Sequence, residues 1–132
     1  MTGQRRIRVL VAEDSSTTRE LLVAMLGADP EVQVVGEARN GVEAVNLTRD
    51  LRPEVVTMDV RMPEMDGFEA TRKIREREAE AGSGRLPIVA LTANALASEL
   101  EKCRDAGMDG HLTKPCSIEE LKAALQHWVS PQ

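Results

Sequence analysis

Ile7-Arg8-Val9-Leu10-Val11-Ala12-Glu13-Asp14 governs how the rest of the chain is read. Branched apolar residues fit a pleated, buried surface, and this run stops abruptly on two carboxylates. It therefore reads as a buried strand, Ile7 to Val11, with acids just beyond its carboxyl end. Ser15, Ser16, Thr17 and Thr18 follow and offer N-caps for a helix, with Glu20 near the place a capping box needs. Leu21, Leu22, Met25 and Leu26 supply the apolar stripe of that helix, and Gly27 and Pro30 end it.

The same unit, an apolar run and then a helical pattern, recurs along the chain. Val32 to Val35 reads as a second strand, Asn40-Gly41 as a turn, and Val42, Val45, Leu47 and Leu51 as a helix stopped by Pro53. Val55 to Met58 is a third strand ending at Asp59. A loop from Val60 to Gly67 follows, then a helix begun by Phe68, Ala70, Thr71 and Ile74. That helix runs into the charged stretch Arg75 to Glu80, which reads as a solvated face with i,i+4 pairs, and Gly82-Ser83-Gly84 breaks it. Ile88 to Leu91 is a fourth strand ending at Thr92, and Leu96 to Ala106 a helix closed by Gly107. His111-Leu112 is a short fifth strand ending at Lys114-Pro115. Ile118 to Val129 is the last helix, with Leu121, Ala124, Leu125 and Trp128 on one face. Five strand–helix units in series imply an α/β fold, a five-stranded parallel sheet with helices on both faces.

Composition bounds what such a fold can do. A chain of 132 residues makes one domain, and a 42% hydrophobic fraction suffices for one core. Phe68 and Trp128 are the only aromatic side chains, too few for a surface that stacks single-stranded nucleic acid. A net charge of -5 disfavours direct nucleic-acid binding and anionic membranes. No apolar run approaches the roughly 20 residues of a membrane span, so membrane insertion is not expected. The basic start, Met1 to Ile7, leads into an apolar stretch cut by Arg8, Glu13 and Asp14, unlike a signal peptide. Cys103 and Cys116 are too few for a disulfide framework or a zinc site and read as small hydrophobes. A soluble, cytoplasmic protein is expected.

In a parallel sheet all the carboxyl ends share one edge, and ligands bind there, where strand order switches. That edge would gather Glu13, Asp14 and Asp59 with Thr92 and Lys114. Three carboxylates held together out of water repel by several kcal/mol, and a divalent cation relieves this. All-oxygen ligation of this kind suits Mg²⁺. The hydroxyl and the ammonium are then left to hold an anion beside the metal, a set of charges fit for phosphoryl chemistry.

Val11-Ala12-Glu13-Asp14, Met58-Asp59-Val60-Arg61-Met62-Pro63-Glu64-Met65-Asp66-Gly67, Ala90-Leu91-Thr92-Ala93 and Thr113-Lys114-Pro115 together resemble the receiver domain of two-component response regulators. The resemblance runs from about Ile7 to Val129. It implies a flavodoxin-like (βα)5 fold in a single domain, 1–132 with a core of about 7–129. It also implies that Asp59 accepts a phosphoryl group from a histidine kinase, with Mg²⁺ as cofactor. Asp14, Asp59 and the backbone carbonyl of Arg61 would be direct metal ligands, with Glu13 acting through water. Thr92 would swing inward to the phosphoryl group, aided by the Ala93 N–H, and Lys114 would pair with its oxygens. The Lys114–Pro115 bond would be cis. His111 stands where relatives often carry a switching aromatic ring, so it joins Thr92 as a switch candidate. Met62 and Met65 would pack the loop beneath the site.

The two halves lean toward different relatives. Ile7 to Asp59 is similar to receivers of chemotaxis methylesterases, and Ile74 to Leu125 to receivers of hybrid histidine kinases. The expected role is a signalling receiver, not an enzyme beyond its own phosphotransfer and dephosphorylation, that switches a surface for a downstream target protein. The alternatives are a relay passing phosphate to a histidine phosphotransfer protein, and a docking module that is never phosphorylated. A phosphatase using Asp59 would need a second acid two residues on, where Arg61 stands.

Overall fold

The computed structural model describes residues 6–94 and 96–129. Met1 to Arg5 of the basic start, Ala95 and the last three positions of the expected 1–132 domain lie outside the described residues. Ten elements alternate: β1 (Ile7–Ala12), α1 (Ser16–Gly27), β2 (Val32–Ala38), α2 (Gly41–Leu51), β3 (Val55–Asp59), α3 (Gly67–Ala81), β4 (Ile88–Thr92), α4 (Ala97–Ala106), β5 (Gly110–Thr113) and α5 (Ile118–Trp128). The strands are parallel in the order β2-β1-β3-β4-β5. The flavodoxin-like (βα)5 fold is thus the one adopted, and the order reverses beside β1, between β1 and β3.

The strands bury both faces, which is why they read as continuous apolar runs rather than alternating ones. Leu10, Val56, Met58, Ile88 and Ala90 face one layer with Ala44, Val45, Ala70, Ile74 and Cys103 of α2, α3 and α4. Val9, Val11, Val55, Val89 and Leu91 face the other with Leu22, Leu26, Leu121 and Leu125 of α1 and α5. Full burial of each large aliphatic side chain contributes about 1.5–3 kcal/mol, so these two layers supply the main favourable term. No helix of the described residues is long and apolar enough to cross a membrane.

Several elements differ from the sequence reading. β2 runs on to Ala38, because Val9–Ala12 continue to pair with it past a register shift between Val9 and Leu10. Gly36 lies where a Cβ would press on the Leu51 and Leu10 side chains. Asn40-Gly41 is a helix start, not a free turn: the Asn40 side chain accepts from the Glu43 N–H at 2.8 Å. A Cβ on Gly41 would collide with the carbonyl oxygen of Met65. In α1 the cap is Ser15, which accepts from the Thr18 N–H, so Glu20 is too far along to close a capping box. Such a box forms at α5, between Ser117 and Glu120. Leu21 and Val42 were expected in buried stripes and are exposed, whereas Val23 packs against the core. The Arg75 to Glu80 stretch is no simple solvated face. Arg75 is largely covered and donates to the carbonyls of Gly107 and Leu86 and to Glu78 and Asp109.

Candidate functional site

Glu13, Asp14 and Asp59 meet at the carboxyl edge where the strand order reverses. Each offers a carboxylate oxygen, and these lie within 4.8 Å of one another. β1 delivers the first two: Ala12 is its last residue, so the next side chains leave the sheet at its rim. Glu13 turns inward, with no exposed surface, and Asp14 stays exposed. β3 delivers Asp59, which is 4% exposed. β5 ends at Thr113 and delivers Lys114, whose Nζ lies 2.8 Å from Glu13 Oε1 and 3.4 Å from Asp59 Oδ1. The Lys114–Pro115 peptide bond is cis.

The charges do not cancel. Burial, and then the neighbouring Glu13, push the Asp59 carboxyl up to about 7, against the pull of Lys114 and of the Arg61 N–H. That N–H donates to Asp59 Oδ1 at 3.2 Å. Burial tends to lower the Lys114 ammonium, but Glu13 and Asp59 outweigh it and raise it overall. Glu13 is further tied by the Ser15 N–H, which donates to Oε2 at 3.2 Å. Arg19 braces the turn from below, donating to the Glu13 carbonyl at 3.0 Å and pairing with Glu37 at 3.4 Å. One carboxyl that holds its proton near neutrality, beside two more carboxylates and one ammonium, is a donor set that fits Mg²⁺, a hard cation satisfied by oxygen. A cleft of about 480 Å³ opens next to this set, lined by Asp14, Arg61, Met62 and Phe68 among others.

The sequence-derived residues fall into two groups. Glu13, Asp14, Asp59 and Lys114 are brought together, with Arg61 directly beyond them. Thr92, at the end of β4, faces α4: its hydroxyl donates to the Asn94 carbonyl at 3.0 Å, lies 3.4 Å from Glu99 Oε2, and accepts from the Asn94 N–H. Ala93 follows it on the surface. Thr92 does not cap α4, which begins after Leu96 without a side-chain cap. The Arg61 side chain is 74% exposed and reaches toward Glu99 at 3.6 Å. His111 is exposed on β5. Met62 is buried and Met65 partly buried under the loop, as expected. Glu99 escaped the sequence reading. An acid in the first turn of a helix is ordinarily a solvated partner of the helix dipole, and nothing in the sequence marks this one as buried.

Known proteins share this architecture over nearly its full length. The receiver domain of the sensor histidine kinase PA1611 from Pseudomonas aeruginosa superposes with a TM-score of 0.83 at 36% identity, covering 96% of this chain and 99% of that one. That structure carries a magnesium ion coordinated in its active-site cleft. The response regulator domain of Thermotoga maritima CheB superposes with a TM-score of 0.80 at 30% identity, over 97% and 99% of the two chains. Among curated sequences, a protein-glutamate methylesterase/protein-glutamine glutaminase of Myxococcus xanthus is 65% identical over 68 residues, 52% of this chain. The sensor protein GacS of Pseudomonas syringae is 43% identical over 127 residues, 96% of this chain. Relatives of both kinds therefore occur, methylesterase and sensor. The chain spans only 19% and 14% of the length of these two proteins. The family model of the response regulator receiver domain matches residues 9–126, the same stretch that brings the acids and Lys114 to one edge; the chain belongs to that family, the receivers of two-component signalling.

Proposed function

We propose that the chain is a single receiver domain that accepts a phosphoryl group on Asp59 and changes a partner-binding surface in response. The observation that carries this reading is the convergence of Glu13, Asp14 and Asp59 within 4.8 Å, with Lys114 in contact with two of them. The phosphodonor is a histidine kinase. An oxygen of ionised Asp59 attacks phosphorus, and a new P–O bond forms. The P–N bond to the kinase imidazole breaks, and its electron pair stays with the ring, which takes up a proton.

Glu13, Asp14, Asp59 and the Arg61 carbonyl would hold Mg²⁺, which supplies neutralising charge to the phosphoryl oxygens. Lys114 is placed to leave its carboxylate partners for those oxygens, where its charge opposes the gain of about -1.5 to -2. Thr92, with the Ala93 N–H, would turn from the α4 side to meet the phosphoryl group. Its move alters the loop after β4, and His111 on β5 borders the same surface. The phosphoryl group lands on the chain itself, so this reading gives it no catalysis beyond its own phosphotransfer and dephosphorylation. A relay role, handing the phosphoryl group on to a histidine phosphotransfer protein, is the second reading. The likeness to a sensor protein over 96% of the chain favours it.

The test is incubation with acetyl phosphate and Mg²⁺, followed by intact mass. Wild type is expected to gain one phosphoryl group and Asp59→Asn none. A wild-type chain that gains nothing from acetyl phosphate or from any of the host's purified kinases would leave only the docking-module reading.

A further inference from the structure

Glu99 is a buried carboxylate that the phosphoacceptor chemistry does not use. It sits in the first turn of α4, 4% exposed, and among the described residues two side chains approach its carboxylate. Thr92 Oγ1 lies 3.4 Å from Glu99 Oε2, and Arg61 Nη2 lies 3.6 Å from the same oxygen. Thr92 ends β4, and Arg61 stands two residues beyond Asp59, so each partner comes from a strand end at the acidic edge. A hydroxyl donor and a guanidinium are also what an arriving phosphoryl group needs for its oxygens.

The two demands exclude each other. Thr92 has one hydroxyl proton, shared between the Asn94 carbonyl and Glu99, and none is left for a third acceptor. Arg61 cannot fold over Asp59 while its guanidinium stays with Glu99. Glu99 in turn is drawn to these two groups because a buried carboxylate without donors is costly. Its oxygen thus engages donors that a phosphoryl oxygen would need.

We infer that Glu99 is a positioning residue, a resident anion that keeps Thr92 and Arg61 on the α4 side until a phosphoryl group outcompetes it. The inference rests on the phosphoacceptor reading of Asp59. Its consequence is quantitative. A resting state held by Glu99 lowers the fraction of chains ready to bind, and the apparent affinity for a phosphoryl mimic falls by the same fraction.

The experiment titrates beryllofluoride in saturating Mg²⁺ against wild type, Glu99→Gln and Glu99→Ala. Glutamine keeps the shape should alanine fail to fold. Both variants are expected to bind the mimic about threefold to tenfold more tightly, with Mg²⁺ affinity unchanged. In a chain carrying Thr92→Ala and Arg61→Ala, Glu99→Gln is expected to leave affinity for the mimic where it was, because the groups it releases are gone. A merely structural Glu99 would not show that dependence. Unchanged or weaker binding by both Glu99 variants overturns the inference, as does an equal gain in the doubly substituted background. Wild type that binds no beryllofluoride and takes no phosphoryl group from acetyl phosphate overturns the Asp59 reading itself, a result distinct from either.

Discussion

The two edges of the sheet handle buried charge in opposite ways. At the amino edge, Arg75 joins Glu78 and Asp109 at 2.9 and 2.7 Å, and Arg85 adds a second cation to Asp109 at 2.8 Å. Leftover acceptors and donors are met too: Arg75 serves the Gly107 and Leu86 carbonyls, and the Ile88 N–H donates to Asp109. At the carboxyl edge, three carboxylates meet and Lys114 reaches two of them, Glu13 and Asp59, and Asp59 is driven toward its protonated form. Both edges set acids against cationic side chains. One set is closed and holds α3 to the loops around β4 and β5; the other is short of positive charge and open to a cation and an anion. Stability is built at one end of the strands, and the proposed phosphoryl chemistry belongs to the other.

The largest effect that would sharpen this contrast comes from Asp59→Asn. Phosphoryl acceptance should vanish, while the metal-free variant should melt higher than wild type because a repelled carboxylate is gone. Wild type should recover stability on Mg²⁺ addition, by about 2.7 kcal/mol at a concentration one hundred times the Kd. A wild-type melting temperature unmoved by millimolar Mg²⁺ breaks the idea that the carboxyl edge is strained.

Arg75→Ala tests the other edge. It leaves Glu78 without its cation, Asp109 and the Gly107 carbonyl with Arg85 alone, and the Leu86 carbonyl without its donor, so unfolding should become easier by about 2 kcal/mol. Urea denaturation measures this. The phosphorylation rate under native conditions should barely change, and a large loss there would mean the two edges are coupled.

Next comes pH. The native Asp59 carboxyl titrates near 7, above its ordinary 3.8. Between those values the native state holds a proton that the unfolded chain has released, so stability falls as pH rises. Metal-free wild type should therefore lose stability from about pH 4 to about pH 7 relative to Asp59→Asn, and run parallel to it above. Parallel curves throughout would show Asp59 to be unperturbed.

The smallest effect expected is that of Arg61→Ala. If the guanidinium moves from Glu99 to the phosphoryl oxygens, the alanine variant should lose phosphate faster. About fivefold corresponds to about 1 kcal/mol of barrier. Equal dephosphorylation rates, with the donor removed and Mg²⁺ held constant, would restrict Arg61 to its backbone.

Much of this was legible in the order of residues. Apolar runs that end on Asp59, Thr92 and Lys114 place those side chains at one edge once the strands are parallel, because direction along a strand is a one-dimensional property. The five units, an N-cap among Ser15 to Thr18 and the acid cluster follow from local rules of the same kind. Other features needed the folded chain. Leu21 and Glu20 read as buried stripe and cap, but the orientation of α1 on the sheet exposes both. β2 outruns its apolar stretch because a paired neighbour satisfies the backbone of Gly36 and Glu37. Arg75 looks like any arginine in a charged helix until the Gly107 carbonyl and Asp109 arrive from far along the chain. Glu99 is the sharpest case: its burial and its hold on Thr92 and Arg61 depend on how α4 leans on the ends of β3 and β4. The sequence by itself determined which charges stand at the carboxyl edge, since strand ends are written in residue order. Only the tertiary structure decided which of them are paired, because pairing depends on distances between segments that residue order leaves free.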